Sequence, residues 1–476
     1  MKITFVIPPA KKGRAAERLF GCTFQVYAQP NLVVLYPATM LKEKHKIIVR
    51  DFPVEDYSYK QFIEWARHDD SDIYCFHTVP LSRELDLEAV KALKNKPVIF
   101  FGPEPTDKPE LFLREKNHYV IRGEVEASIC ELVDAIEKKK GFDKVLGLSY
   151  IKHGKIISNK NIGYIKDINN LPIPDRTLIP YKKYRNPKLP RSPYTTMLTS
   201  RACSYRCYYC VPCSLSYARE LDWKSYNKGK PPVTLISPEN IYKELVEIKK
   251  LGIKAISVID DQFVWDKERH HEICMAFKKI GLPFGILARS DRLVDEDIVK
   301  DLADAGCIYA DMGIESFNQE ILNYCNKDLN VKTIKKSIEL LQKYRIEPKL
   351  NILYGTCPLE TKETLRDSLK KVKALNIDFV QFAVASPFPG TEFRAKGLKE
   401  GWVIEPDVGK ADPSKRSLVR YPNLSNKYLD MWVVHSFRSF YFRPKIILKR
   451  LFKIRNISEF SIYLRGLYRL IKRENN

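Results

Sequence analysis

Along the first 140 residues, short apolar runs alternate with longer segments whose apolar residues recur every three or four positions. The runs at 2–7, 46–51, 72–77, 98–102 and 118–122 have strand length, and helices are expected near 32–42, 59–67, 85–93 and 125–138. Strands alternating with helices predict an α/β domain over 1–140 with a doubly wound, Rossmann- or flavodoxin-like parallel sheet. Ligands of such sheets gather beyond the carboxyl ends of the strands. Those ends carry Pro8, Pro9, Asp51, Thr78, Gly102-Pro103-Glu104 and Arg122-Gly123-Glu124. Glu126, just beyond, is placed to complement the N-terminus of the next helix.

Residues 141–193 read as a connector. A hairpin is expected over 147–159, turning at His153-Gly154, and the prolines between 171 and 193 demand an extended course. From 194 to about 388 the alternation returns at larger scale. Strands at 195–199, 254–259, 283–287, 309–313, 349–354 and 379–384 are separated by helices near 238–251, 267–280, 295–305, 331–344 and 364–375. Six such units predict a partial (β/α)6 barrel of TIM type over 194–400, with its chemistry at the strand C-termini. The rhythm stops in the extension 401–476. Residues 405–427 are polar and proline-broken, read as a loop across the barrel mouth, and helices are expected at 428–442, 444–454 and near 459–472.

Composition narrows the class. Nowhere is there an apolar span of roughly 18 residues, so no transmembrane helix is expected. The first apolar run is too short for a signal peptide and reads as a strand. Cys22, Cys75, Cys130, Cys274, Cys307, Cys325 and Cys357 are scattered singly, which suits a reducing cytoplasm better than a disulfide framework. The formal charge of +23 is partly concentrated at the end of the chain, where eleven Lys or Arg face two Glu between Arg438 and Asn476. Basic helices packed on the barrel, a helix lying on an anionic membrane surface and, less favoured, a nucleic-acid face are the three readings of that tail.

The most specific signal is residues 201–213, Arg-Ala-Cys-Ser-Tyr-Arg-Cys-Tyr-Tyr-Cys-Val-Pro-Cys. Cys203, Cys207 and Cys210 form a C-x3-C-x2-C array. Three thiolates so spaced can each take one iron of a cubane and leave the fourth iron for an external molecule. Cys213 keeps a zinc reading open, since Cys210-x2-Cys213 also has zinc-ligand spacing.

The array, with Tyr209 before its third cysteine, resembles the signature of the radical S-adenosylmethionine enzymes. Ile-Asp-Asp-Gln-Phe at 259–263, Gly-Ile-Glu-Ser at 313–316 and Gly-Thr-Cys-Pro-Leu-Glu-Thr at 355–361 resemble that family's later strand-end motifs, the last with Leu359 in place of a glycine. The resemblance implies a 4Fe-4S cluster on Cys203, Cys207 and Cys210, with S-adenosylmethionine chelating the open iron. It further implies Asp260 or Asp261 near the methionine amino group, Arg289 near its carboxylate, Glu315 near the ribose and Tyr209 against adenine. The N-terminal layout resembles the cobalamin-binding domain of one branch of this family, with Arg122-Gly-Glu-Val-Glu126 and Phe101-Gly-Pro-Glu104 near its motifs. Thr78, Gly102, Glu104 and Gly123 are its candidate cofactor contacts. The cobalt-ligating histidine of that domain is replaced here by Pro53, so any cobalamin is expected without a protein histidine on cobalt.

These resemblances imply cleavage of S-adenosylmethionine to a 5′-deoxyadenosyl radical, fed by an electron donor such as flavodoxin or ferredoxin. Methylation of an unactivated carbon, or ring formation as in anaerobic magnesium-protoporphyrin ester cyclases, is the implied outcome. The substrate is expected to be a small molecule, lipid-like or tetrapyrrole, and the enzyme cytoplasmic or peripheral at a membrane. The rivals are a tRNA methylthiotransferase, with Cys22, Cys75 and Cys130 as a second cluster set, and a zinc- or cluster-stabilised binding protein using Cys213 as well.

Overall fold

The computed structural model describes residues 1–93, 95–161 and 163–451. Strands β1 (Lys2–Ile7), β2 (Lys46–Asp51), β3 (Ile73–His77), β4 (Val98–Phe101) and β5 (His118–Ile121) pair in parallel in the order β2-β1-β3-β4-β5. Every residue of β3, β4 and β5 is buried, as a sheet covered on both faces requires. The order reverses between β1 and β3, the switch point at which a doubly wound sheet opens its crevice. The hairpin β6 (Leu148–Lys152) and β7 (Lys155–Ser158) turns at His153 and Gly154, both at positive φ, as predicted. It adds antiparallel to β5, so the sheet runs into what the sequence reads as connector.

The second sheet is open, six-stranded and parallel: β8 (Tyr194–Met197), β9 (Ala255–Val258), β10 (Phe284–Leu287), β11 (Cys307–Glu315), β12 (Glu347–Tyr354) and β13 (Phe379–Val384). It is the expected partial barrel. Burial alternates strictly along β12 and β13: Leu350, Ile352, Tyr354, Val380, Phe382 and Val384 pack outward under the helices. Their neighbours Lys349, Asn351, Leu353, Phe379, Gln381 and Ala383 are only half-buried, so the wall they form faces an open lumen. At β10 the lumen is tight, because a Cβ on Gly285 would lie 2.2 Å from the Tyr309 ring. Gly285→Ala is therefore expected to cost about 1–3 kcal/mol by overpacking, read as a fall in the denaturant midpoint.

Between β8 and β13 the barrel is unclosed, and the N-terminal unit with residues 401–424 fills that side. Tyr194 and Thr196 of β8 donate to the carbonyls of Ala28 and Pro30 at 3.0 and 2.7 Å. Arg83 binds Asp407 at 2.7 Å and Arg14 binds Asp412 at 3.3 Å. Glu126 lies in the first turn of the short 3-10 segment Val125–Ala127, yet its chief partner is elsewhere. Its carboxylate binds Arg201 at 2.9 Å, because a buried guanidinium at the end of β8 needs compensation more than a short helix does.

Of the tail, helix α1 (Asn426–Tyr441) lies on the barrel, with Phe437 and Phe440 against Phe382. Helix α2 (Pro444–Leu451) follows, and the helix predicted near 459–472 lies outside the described residues. Among the described residues no helix is long and apolar enough to cross a membrane.

Candidate active site

The chain leaves β8 through Ser200 and Arg201, turns at Ala202 with φ 73°, runs through the cysteine loop and enters helix α3 (Ser214–Lys224). The loop has little regular structure of its own and is pinned from outside. Tyr208 is its anchor: its N–H donates to Cys325 O at 3.1 Å, its hydroxyl to Thr356 O, and its ring packs on Tyr324 and Phe393. Arg289, at the end of β10, stacks 3.6 Å from the centre of the Tyr205 ring and donates to the carbonyls of Lys327 and Asp328 at 2.7 and 3.0 Å. Its Nη1 lies 3.9 Å from Cys207 Sγ.

Cys203, Cys207 and Cys210 converge. Cys210's thiol is pushed well up by burial, then further by Cys207 and Cys203, with Lys230 and Lys327 opposing. Yet no three Cys, His or carboxylate ligand atoms here lie within 4.8 Å of one another; among the described residues only His45, Asp134 and Glu137 do. Cys213 stands apart from the three thiols. Its N–H donates to Asp261 Oδ1 at 2.6 Å, and its sulfur lies 3.4 Å from Ser216 Oγ and 3.8 Å from Asp261 Oδ2. The four-cysteine zinc set is thus not assembled.

Around the thiols sit three cations and the carboxylates of Glu315 and Asp261. Glu315, at φ 60° where β11 shifts register, binds Lys327 at 2.9 Å. Burial opposes the charge on Lys327, but Glu315 and then Cys207 keep its pKa above the ordinary lysine range. Lys230 is half-buried, which opposes its charge, and Cys210 and Glu220 hold its pKa up. The Tyr209 ring is buried 5.9 Å from Lys327 Nζ, and its hydroxyl has no partner among the described residues. Lys230 and Lys327 carry no motif and escaped the sequence reading.

The predicted Asp260 and one further motif residue are engaged in structural contacts. Asp260 accepts from Thr199 N at 2.6 Å, from the Thr199 hydroxyl and from Ser200 Oγ at 2.9 Å, which fixes the entry to the loop. Burial raises its pKa to about 6, against those hydrogen bonds. Glu360, in the last motif, accepts from Gly355 N and Thr356 N at 2.8 and 2.6 Å and so shapes its own turn, while Leu359 is exposed.

The carboxyl edge of the first sheet gathers the other candidates. Thr78 donates to Asp86 at 2.8 Å, beside Arg18. Glu104 accepts from Arg83 at 2.8 Å, and Gly123 N–H donates to Thr106 Oγ1 at 3.1 Å. Gly102, at φ 108°, lies so close to His77 that a Cβ there would meet its ring at 2.7 Å. Asn31 Oδ1 accepts from Val33 N, so its Nδ2 donates to His77 Nδ1 at 3.0 Å and the ring proton sits on Nε2. Burial, then Arg18, hold His77 neutral. Nε2 of His77, Oε2 of Glu104 and Oε2 of Glu126 are buried without a partner among the described residues. Orphaned polar atoms along one strand edge fit an edge built to meet a polar ligand. By contrast, Cys75 is enclosed between Phe5 and Ile99 in the sheet while Cys130 is exposed, so these cysteines do not line a common site.

Residues 197–372 match the radical SAM superfamily. Over 95% of both chains the protein is 29% identical to an uncharacterized methyltransferase of Pyrococcus horikoshii. Its fold is similar to that of the cobalamin-dependent S-adenosylmethionine radical enzyme OxsB, with a TM-score of 0.68 over 99% of this chain and 71% of that one, at 16% identity. It is also similar to the radical S-adenosylmethionine methyltransferase TsrM from Kitasatospora setae, at a TM-score of 0.62 over 85% and 75% and 16% identity. With its three-thiol loop at the mouth of an open six-stranded barrel, the chain carries a match to the radical S-adenosylmethionine superfamily over residues 197–372 and has a fold similar to that of cobalamin-dependent radical S-adenosylmethionine enzymes.

Proposed function

We propose that this enzyme holds a 4Fe-4S cluster on Cys203, Cys207 and Cys210, binds S-adenosylmethionine and cobalamin, and methylates an unactivated carbon of a small molecule. The observation that carries the reading is the convergence of three thiols at the mouth of a lumen flanked by a ligand-type sheet edge. The methyltransferase name of the Pyrococcus relative favours methylation over ring formation. When bound, the cluster and S-adenosylmethionine supply a primary carbon radical, and cobalamin supplies a methyl group.

The chain's own work is to hold and orient. Tyr209 offers its buried ring to adenine, Glu315 a carboxylate to the ribose, and Asp261 a carboxylate beside the loop. Arg289 is committed to Asp291 and two carbonyls, so its part is to brace the loop, with Nη1 turned to Cys207. His77 presents an N–H rather than a lone pair, which supports cobalamin bound without histidine on cobalt. Asp311, Lys349, Asn351 and Gln381 make the lumen polar, which favours a polar substrate over a lipid-like or tetrapyrrole one. A low-potential flavodoxin or ferredoxin would deliver the electron.

Anaerobic reconstitution tests the reading. Iron and sulfide should bind, cobalamin should be taken up, and S-adenosylmethionine should yield 5′-deoxyadenosine and S-adenosylhomocysteine. Zinc without iron, or no uptake of cobalamin, would overturn it. Lys327→Met is expected to lower the midpoint potential of the reconstituted cluster, since a cation beside the thiolates favours the added electron. It should also cost about 2 kcal/mol of stability through the lost bond to Glu315.

A further inference from the structure

Inside the barrel, the charged residues that make the lumen polar do not balance. Asp311 on β11 stands opposite Lys349 on β12 in register, and the two bind. Asn351 donates to the other Asp311 oxygen at 2.8 Å. From outside the barrel Lys188 reaches in to 3.5 Å from Asp311, over the Tyr309 ring at 4.4 Å and beside Tyr27. The charges acting on Lys349 are Asp311 and Lys188; on Asp311 they are Lys349 and Lys188. Two ammonium groups therefore share one carboxylate, an excess of one positive charge in an enclosed space, which is costly without a counter-ion.

Lys349 keeps 19% of its side chain accessible and Lys188 13%, and Asn351 and Gln381 beside them are half-buried, so the group is not sealed off. Burial, with Lys188 adding to it against Asp311, holds the Lys349 pKa below its ordinary range, as expected for a buried cation that shares its carboxylate with a second ammonium. Asp311 precedes Glu315 by four residues, so at about 3.3 Å per residue the group lies about 13 Å below the strand end where the thiols converge.

We propose that Lys188 and Lys349, set by Asp311 and Asn351, form the seat for an anionic oxygen group, carboxylate or phosphoryl, of the substrate. The inference rests on the lumen being the reaction chamber and names the class of molecule it takes. An anion held at this depth leaves the carbon chain above it to reach toward the cysteine loop.

The test is calorimetric titration of the full, cluster-reconstituted chain with inorganic phosphate and with acetate, at constant ionic strength set by potassium chloride. Wild type should bind one or both, and the preferred anion separates a phosphoryl from a carboxylate substrate. Lys349→Gln should weaken binding about tenfold or more. Asp311→Asn should tighten it, because a competing carboxylate is removed; damage to the fold would do the opposite. Equal binding by wild type and Lys349→Gln, no binding by wild type, or no gain in Asp311→Asn would overturn the proposal. Displacement of the anion by S-adenosylmethionine would also overturn it, assigning the seat to the methionine carboxylate. Failure of the enzyme reading itself would appear separately, as absence of iron with anion binding intact.

Discussion

Alanine at Cys203, Cys207 or Cys210 is expected to abolish iron retention and all cleavage of S-adenosylmethionine, whereas Cys213→Ala should keep both. In the proposed site each of the three thiols would be the sole ligand the chain offers to one iron, and burial pushes the thiols of Cys203 and Cys210 up, so that a bound metal is what would take their protons. Cys213 sits in a different environment: its amide and sulfur face Asp261 and Ser216, and burial, then Asp261, push its thiol well up. Its removal takes away packing at the start of α3 and leaves the cluster thiols in place. Iron and sulfide analysis with visible absorbance, after anaerobic reconstitution of each variant, decides the matter. Loss of iron in Cys213→Ala to the level of the other three would make this a four-cysteine site, and the open coordination position would disappear.

The elements were legible where one period dominated. Buried strands such as Ile73–His77 and Val98–Phe101 are short apolar runs, and the barrel helices carry apolar residues every three or four positions, so both fall out of the pattern. The cysteine loop was legible because metal ligation ties residue type to spacing within eight positions. What escaped reading depends on partners far apart in the chain. Nothing local to Glu126 announces Arg201, nothing near Lys188 announces Asp311, and Arg83 meets Asp407 across 324 positions. Lys230 and Lys327 look like surface lysines until the fold brings them against thiols. The helix Ser214–Lys224 was missed for a related reason. Ser214, Ser216, Arg219, Glu220 and Asp222 are all buried against the N-terminal unit and the loop, so no apolar stripe marks it.

The candidate site divides in the same way. Cys203, Cys207, Cys210, Tyr209, Asp261, Arg289 and Glu315 were found from motif positions, and the fold gathers them at one end of the barrel. Their partners set what each can do, and partners are invisible to a motif. Arg289 has its hydrogen bonds taken by Asp291, Lys327 and Asp328, and Asp260 has its own taken by Thr199 and Ser200. Thr78 and Glu104 are engaged with Asp86 and Arg83 in the same manner.

Arg201→Met should be the most destabilising single change outside the cysteine loop. The guanidinium is 1% exposed and binds Glu124 at 3.0 Å and Glu126 at 2.9 Å, both carboxylates being equally enclosed, with the Tyr36 ring beside it. Removing it leaves the buried Glu126 carboxylate without its partner and Glu124 with Ile165 N and the more distant Arg219 alone, which costs about 3–5 kcal/mol. Because Glu124 and Glu126 follow the first sheet and Arg201 follows β8, the loss should fall on the docking of the two units. Glu126→Gln should cost less, since Arg201 keeps Glu124, and Arg201→Met combined with Glu126→Gln should recover part of the loss. The dependence on pH carries the signature. Burial, opposed by Arg201, already holds Glu126 above the ordinary carboxylate value of 4.5, so its protonated form is the one the fold favours. Without Arg201 that preference grows, and the stability it lends is present below pH 4.5 and lost as pH rises through the folded value. The deficit of Arg201→Met relative to wild type should therefore be small in acid and widen toward neutrality, read from urea midpoints across that range. A deficit constant with pH would mean that the arginine matters for its packing on Tyr36 and not for its charge.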